Sequence, residues 1–156
     1  MKIVLFKLIA VIMALYFISC MTEPKGKEDD TEINLGIPKN VSINVQGRLM
    51  TVTWDAVNNA LGYEIITTSV GCGSGNRTIN TKEKTAVATS NGSVASNVKI
   101  NDGNSIEITL MASTPGSSVA MASSVTAKVK SLGGTVSEVL YFDSEYSETV
   151  NKVIEK

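Results

Sequence analysis

The sequence contains no histidine, and that absence removes several kinds of active site at once. Histidine is the usual general base of Ser-His and Cys-His dyads and the commonest nitrogen ligand of protein-bound metals. Outside the acidic run Glu28–Asp30, the acidic residues are scattered singly, so the sequence offers no pair of carboxylates that can be placed on either side of a substrate. We therefore expect no catalytic residues, no metal site and no cofactor, and the protein is predicted not to be an enzyme.

Aromatic residues are also scarce. They make up 5% of the chain although 43% of its residues are hydrophobic, and Ser, Thr, Asn, Val and Gly are abundant. This composition favours strands and turns over helices. The length of 156 residues leaves room for one domain, because single cores typically take about 100 to 150 residues. The sequence therefore predicts one all-β domain.

An excess of positive charge is absent as well. The full chain has a net charge of −1, and removal of an N-terminal leader that contains Lys2 and Lys7 leaves 12 basic against 15 acidic groups. Proteins that bind nucleic acid need clustered Lys and Arg side chains to neutralise phosphates. The predicted partners therefore do not include nucleic acid.

The N-terminal residues have the pattern of a secretory signal. Lys2 and Lys7 form a positive region, and the charge-free run Leu8–Ile18 follows them. This run is much shorter than the roughly 20 apolar residues that a membrane-spanning helix needs. The pattern favours a cleaved signal peptide over a membrane anchor.

The segment FISC, Phe17–Cys20, resembles the lipobox of bacterial lipoproteins, in which a small residue precedes an acylated cysteine. Phe17 departs from that family, which usually has leucine at this position. The resemblance implies that residues 1–19 are a lipoprotein signal peptide and that Cys20, the first mature residue, is lipidated. Two or three acyl chains would hold the protein at a leaflet, since each buried CH₂ contributes about 0.8 kcal/mol. A plain cleaved signal with a free Cys20 thiol is the alternative.

The composition changes twice after the leader. Residues 20–36 are charged and almost devoid of apolar side chains, which predicts a flexible tether. From residue 37 the pattern has a period of two: Val41–Val45, Met50–Trp54 and Tyr63–Thr67 each alternate between two faces. This alternation is typical of half-buried antiparallel strands. The predicted domain therefore covers residues 37–156.

Three segments in order, IPKNVSINV, LMTVTWDAV and GYEII, resemble the first three strands of fibronectin type III domains. SIEITLMAS is the expected fifth strand, and SSVTAKVKSLGG and DSEYSETVNKV resemble the sixth and the last. The resemblance implies a single immunoglobulin-like (fibronectin type III-like) β-sandwich, although Val125 stands where the family usually has a corner tyrosine. Residues 71–115 have no predicted register. In an alternative register Ile106–Ser113 is the sixth strand and the C-terminal tail is an appended helix.

The predicted loop between the last two strands, Gly133–Glu145, is unusually apolar. It contains Leu140, Tyr141 and Phe142, and the last two are among only five aromatic residues after the leader. Exposed apolar clusters on loops often form binding surfaces, and the resemblance implies partner contacts on this loop. We therefore interpret Leu140, Tyr141 and Phe142 as candidate binding residues. The alternative is that the segment folds back as a strand extension and caps the sandwich.

Other conspicuous residues have simpler explanations. Trp54 and Tyr63 are predicted to be core residues rather than an aromatic platform for sugar, because Trp54 shares a strand face with apolar residues. Ser96–Lys99 spells the S-x-x-K of serine acyl-enzymes, but it falls in β-rich sequence rather than on a helix. Cys72 lies in a glycine-rich loop and has no intrachain disulfide partner if Cys20 is acylated.

These patterns predict a lipid-anchored protein of the bacterial cell envelope, at the outer membrane or the cell surface. It contacts the membrane through the lipid on Cys20 and displays one domain that acts as a binding or adhesion module for a protein or a glycan. One alternative is a structural accessory subunit that anchors another envelope protein. A small hydrolase is a less favoured alternative.

Overall fold

The regular elements of the protein are β-strands, as the period-two pattern predicts. The computed structural model describes residues 32–71, 75–89, 92–111, 116–119 and 122–155, and these ranges contain no helix. The strands are β1 (Ile33–Asn34), β2 (Ser42–Gln46), β3 (Leu49–Thr53), β4 (Gly62–Gly71), β5 (Gly75–Asn80), β6 (Thr85–Ala88), β7 (Val98–Ile100), β8 (Ser105–Thr109), β9 (Ala122–Leu132), β10 (Gly134–Val136), β11 (Val139–Phe142) and β12 (Val150–Val153).

Two antiparallel sheets form a sandwich. One has four strands in the order β2-β3-β8-β7, and the other has five in the order β12-β9-β4-β5-β6. The apolar side chains of their facing surfaces form one core, whose largest fully buried members are Met50, Val52, Ile65, Ile79, Ile106, Ile108, Val125 and Val129. Burial of each such side chain contributes about 1.5–3 kcal/mol. The predicted all-β sandwich is confirmed.

The strand register aligns buried residues with buried residues. In the four-stranded sheet Met50 lies opposite Ile108. In the five-stranded sheet Ile65 lies between Ile79 and Val129. Because side chains alternate across a strand, a slip of one residue would turn these apolar groups to solvent. The apolar alternation of the sequence therefore fixes the pairing.

The C-terminal tail contains a strand rather than a helix. β12 pairs antiparallel with β9 at the edge of the five-stranded sheet. The preceding segment, 143–149, also runs along β9, where the backbone N–H of Ser144 donates to the carbonyl of Ser131 at 3.0 Å. The alternative of an appended C-terminal helix is therefore wrong.

A third sheet of three short strands lies at one end of the sandwich, in the order β1-β11-β10. β10 and β11 form an antiparallel hairpin, and β1 pairs parallel with β11. The hairpin follows β9 directly, so it stands where β9 ends and where β4, its antiparallel neighbour, begins. We call this end of the sandwich, with β1, β10, β11 and the loop Asp55–Leu61, the hairpin pole.

The N-terminal attachment of the domain differs from the predicted tether, which ended at Gly36. Ile33–Asn34 form β1, Leu35 is only 6% exposed, and the carbonyl of Gly36 accepts a hydrogen bond from Ser131 Oγ at 3.0 Å. The compact unit accordingly begins at Glu32. The local sequence pattern did not show this attachment because β1 pairs with a strand from the far end of the chain.

Candidate binding surface

The hairpin places the three candidate residues on two faces of one strand. Successive side chains of a strand alternate, so Leu140 and Phe142 project from one face of β11 and Tyr141 from the other. Leu140 is 53% exposed and Phe142 39%, whereas Tyr141 is half-buried. Leu140 and Phe142 therefore form an exposed apolar pair that Tyr141 does not share.

Tyr141 faces the loop between β3 and β4. Its hydroxyl accepts a hydrogen bond from Asn59 Nδ2 at 2.9 Å. From the same loop the side chain of Leu61 lies over Gly134 of β10, where a Cβ would meet it. The segment thus folds back as a strand, as the capping alternative predicts, and still leaves Leu140 and Phe142 exposed.

Polar contacts fix the hairpin to the sandwich at Gly133. Its N–H donates to Asp143 Oδ1 at 2.8 Å, and its carbonyl accepts a hydrogen bond from Lys82 Nζ at 3.5 Å. Asp143 Oδ2 also lies 3.3 Å from Lys130 Nζ. These contacts hold the base of the hairpin, so the position of the exposed pair is set by the sandwich.

The exposed pair lies near other exposed apolar side chains. Five of the twelve exposed large hydrophobic side chains among the described residues lie at the hairpin pole: Ile33, Leu61, Val139, Leu140 and Phe142. The register places Ile33 and Val139 on the face of the small sheet that carries Tyr141, where Leu61 also lies, so Leu140 and Phe142 alone share the other face. We call Leu140 and Phe142 the apolar patch, because neighbouring exposed apolar side chains often mark an interaction surface. These two residues could be identified from the sequence, whereas the positions of Ile33 and Leu61 beside the hairpin depend on long-range pairing.

A groove of about 360 Å³ opens beside Leu61, with Val57, Ala60 and Tyr63 in its lining. The hydroxyl of Tyr63 accepts a hydrogen bond from the backbone N–H of Val57 at 2.8 Å. This bond closes the β3–β4 loop against the start of β4. It thereby fixes the loop on which the hairpin rests.

A charged cluster covers the outer face of β4 and β9 next to the hairpin. Tyr146 donates a hydrogen bond to Glu64 Oε1, and Glu64 also pairs with Lys130 at 3.4 Å. Lys128 Nζ lies 4.2 Å from the centroid of the Tyr146 ring, within cation–π range. Burial alone would lower the pKa of Lys130, but the opposing effects of Glu64 and Asp143 raise it overall. The charges and hydrogen-bonding groups of the cluster are paired with one another. Through Tyr146 the cluster attaches the chain that follows the hairpin to the sheet.

Replacement of Tyr146 by phenylalanine is expected to lower the free energy of unfolding by about 1 kcal/mol, because it removes the hydrogen bond to Glu64 and keeps the ring beneath Lys128. Burial, together with the hydrogen bond to Glu64 and the charges of Glu64 and Asp143, raises the pKa of Tyr146 above 10. The phenol of the unfolded chain ionises near pH ~10. The raised pKa therefore stabilises the folded state fully below pH ~10. This stabilisation is lost as the pH rises through the pKa that Tyr146 has in the folded protein.

Urea unfolding at a series of alkaline pH values measures this contribution. The difference between the wild-type protein and Tyr146→Phe isolates the phenol, because the lysines titrate in both. The difference should be constant at neutral pH and shrink above pH ~10. A difference independent of pH throughout would show that the phenol does not donate to Glu64 in solution.

The structure places the remaining sequence candidates apart from the hairpin. Trp54 and Tyr63 are buried in the core, as predicted. Ser96–Lys99 passes from a turn into β7, so Ser96 and Lys99 do not lie one helical turn apart. Cys20 and Cys72 lie outside the described residues.

Three further observations concern metals, membrane spans and relatives. The described residues include no group of three or more side chains that are arranged to hold a metal ion. None of the elements within the described ranges is a helix long and apolar enough to cross a membrane. No protein-family model matches the chain, and no curated protein matches it.

Proposed function

We propose that this chain is a lipid-anchored protein of the bacterial cell envelope that displays one fibronectin type III-like domain and acts by binding rather than catalysis. The lipobox-like segment Phe17–Cys20 supports the anchor and the location. The apolar patch at the hairpin pole supports binding. A fold alone does not name a function, so the proposal depends on this surface.

The strand order supports the immunoglobulin-like part of the proposal. The orders β2-β3-β8-β7 and β12-β9-β4 are those of the two sheets of an immunoglobulin constant-type domain. β5 and β6 extend the second sheet beyond β4, as the extra strands of variable-type domains do. The fibronectin type III likeness depends on the quoted sequence segments that form β2, β3, β4, β9 and β12.

The observation that carries the proposed binding is the exposure of Leu140 and Phe142 on a hairpin that is itself held firmly. Complete burial of a Leu or Phe side chain stabilises a complex or a fold by about 1.5–3 kcal/mol relative to exposure. Both side chains keep a large part of their apolar surface in contact with water, so burial against a partner would be favourable. Because the sandwich fixes their position, a partner would meet the pair without having to order it.

Cys20→Ala is expected to abolish lipid attachment, because the thiol that would carry the acyl groups is gone. Metabolic labelling with radioactive palmitate, followed by membrane fractionation, measures both the label and the location. Cys72→Ala is the matched control, since it removes the other thiol and should leave labelling unchanged. Labelled palmitate in the Cys20→Ala protein would contradict the proposed anchor, whatever the hairpin pole binds.

A further inference from the structure

The apolar patch lies where the chain enters the domain. β1 is the first strand of the described chain, and it pairs with β11, which carries Leu140 and Phe142. The N–H of Leu35 donates to the carbonyl of Phe142 at 3.1 Å, which prolongs this pairing by one residue. The N-terminal segment therefore leaves the domain directly from the sheet that carries the patch.

The distance from this exit to a lipid on Cys20 is limited. Eleven residues lie between Cys20 and Glu32, and a fully extended chain spans at most about 3.3–3.6 Å per residue, so the twelve steps from Cys20 to the exit cover at most about 40 Å. A lipid on Cys20 would therefore tether the domain by the hairpin pole, where the chain enters it.

We propose that the apolar patch docks on the lipid leaflet that carries the anchor, with Leu140 and Phe142 inserted at the boundary between headgroups and acyl chains. This inference rests on the proposed lipid anchor and names the partner of the proposed binding surface. Shallow insertion of about 5–10 Å suits two side chains on a short hairpin. The anchor supplies a high local lipid concentration, so a weak apolar contact is sufficient.

The charges around the patch specify the kind of lipid surface. Glu138 lies at the turn of the hairpin, Asp143 lies at its base, and Lys82 is the cation that contacts the base from the β5–β6 turn. This mixture does not form the basic cluster that anionic lipids attract. Docking therefore depends on apolar contact and requires no anionic lipid, so vesicles of neutral phosphatidylcholine are a sufficient surface. The carboxylate of Glu138 costs free energy in hydrocarbon and limits the depth of insertion.

Fluorescence quenching by the lipid tests the docking directly. The full-length, processed protein is reconstituted in phosphatidylcholine vesicles, with Cys72→Ser to remove the other thiol and Leu140→Cys to carry an environment-sensitive probe. A second protein carries the same probe at Val94→Cys. Val94 is highly exposed and bridges Val87 at the outer edge of the five-stranded sheet, away from the hairpin. Mass spectrometry of the N-terminal peptide reports the lipid on Cys20 independently.

The probe at position 140 should shift its emission to the blue and lose most of its intensity when brominated phosphatidylcholine replaces the ordinary lipid. The probe at position 94 should do neither. In the position-140 protein, Phe142→Ser should reduce the quenching, and Glu138→Gln should increase it. Tyr141→Phe should leave it unchanged, because Tyr141 faces the β3–β4 loop. Thermal melting in detergent identifies any variant that fails to fold.

The outcomes separate the docking from the anchor. Acylated Cys20 with an unquenched probe at position 140 overturns the docking and leaves the proposed anchor intact. Equal quenching at positions 140 and 94 also overturns it, since the domain would then have no preferred orientation. A probe at position 140 that shifts to the blue but is not quenched would overturn the docking and place the patch against a second copy of the protein instead of lipid. If mass spectrometry finds no lipid on Cys20, the proposed anchor is wrong, and the docking that rests on it is overturned as well.

Discussion

Replacement of Trp54 by alanine is expected to lower the free energy of unfolding by about 3–5 kcal/mol. The indole follows β3 directly, is 5% exposed and packs edge-on against the ring of Tyr63, with the ring centroids 5.2 Å apart. Alanine would leave a cavity between the two sheets, and the surrounding side chains can fill it only partly. The loss is a large share of the roughly 5–15 kcal/mol that stabilises a typical domain.

Urea unfolding followed by circular dichroism measures this loss, since the variant has no tryptophan to report by fluorescence. Trp54→Phe is the control: it keeps an aromatic ring and removes Nε1–H, which is buried without a hydrogen-bond partner among the described residues. An unpaired buried donor costs about 1–3 kcal/mol. Its removal in Trp54→Phe therefore offsets part of the packing that is lost with the smaller ring. If Trp54→Ala instead unfolds at the same urea concentration as the wild-type protein, the indole is exposed, and an aromatic platform for sugar becomes the better interpretation.

The strands that sequence analysis predicts well are those whose apolar residues alternate locally. β2, β3 and β4 overlap the predicted periodic segments, and Tyr63, Ile65 and Thr67 share the buried face of β4 as predicted. The period-two signal is strong because one face of each strand contacts the core and the other contacts water. No partner strand is needed to recognise such a pattern.

The middle of the chain has no such signal, although it contains β5, β6 and β7. Ile79 is the fully buried residue of β5, and its neighbours are mostly small and polar. β5 forms because it pairs along β4, and β6 forms because it pairs along β5. Pairing of this kind depends on tertiary context, which residue preferences describe poorly.

The candidate surface could be predicted in part. The unusual apolarity of Val139–Phe142 predicts a binding segment, and the alternation of side chains along any extended segment places Tyr141 and Phe142 on different faces. The contributions of Asn59, Leu61 and β1 could not be predicted, because each comes from a segment remote in the sequence. A hydrogen bond of Tyr63 could not be predicted either. Val125 stands where the resembled family has its corner tyrosine, and the hydroxyl of Tyr63 instead bonds to the backbone of the β3–β4 loop.

Gly133→Ala is expected to loosen the hairpin and to lower the free energy of unfolding by about 1–3 kcal/mol, the usual cost of overpacking. A Cβ on Gly133 would collide with the carbonyl oxygen of Tyr141 and lie 2.8 Å from the carbonyl carbons of Tyr141 and Phe142. All three obstacles are backbone atoms of β11, so no side-chain rotation relieves the collision. The hairpin must move as a unit, and its movement lengthens the bonds of Gly133 to Asp143 and Lys82.

Gly75→Ala is the matched control, because a Cβ there meets no atom within 4 Å. The same substitution should be nearly neutral at Gly75, or slightly stabilising, since alanine restricts the unfolded chain. Amide hydrogen exchange adds a local measurement: Gly133→Ala should speed exchange in β11 and at Leu35, and leave β3 and β8 protected. Unchanged exchange in β11 together with unchanged stability would mean that β11 does not approach Gly133 so closely, and the exposed pair would then lack the firm support that makes it a binding surface.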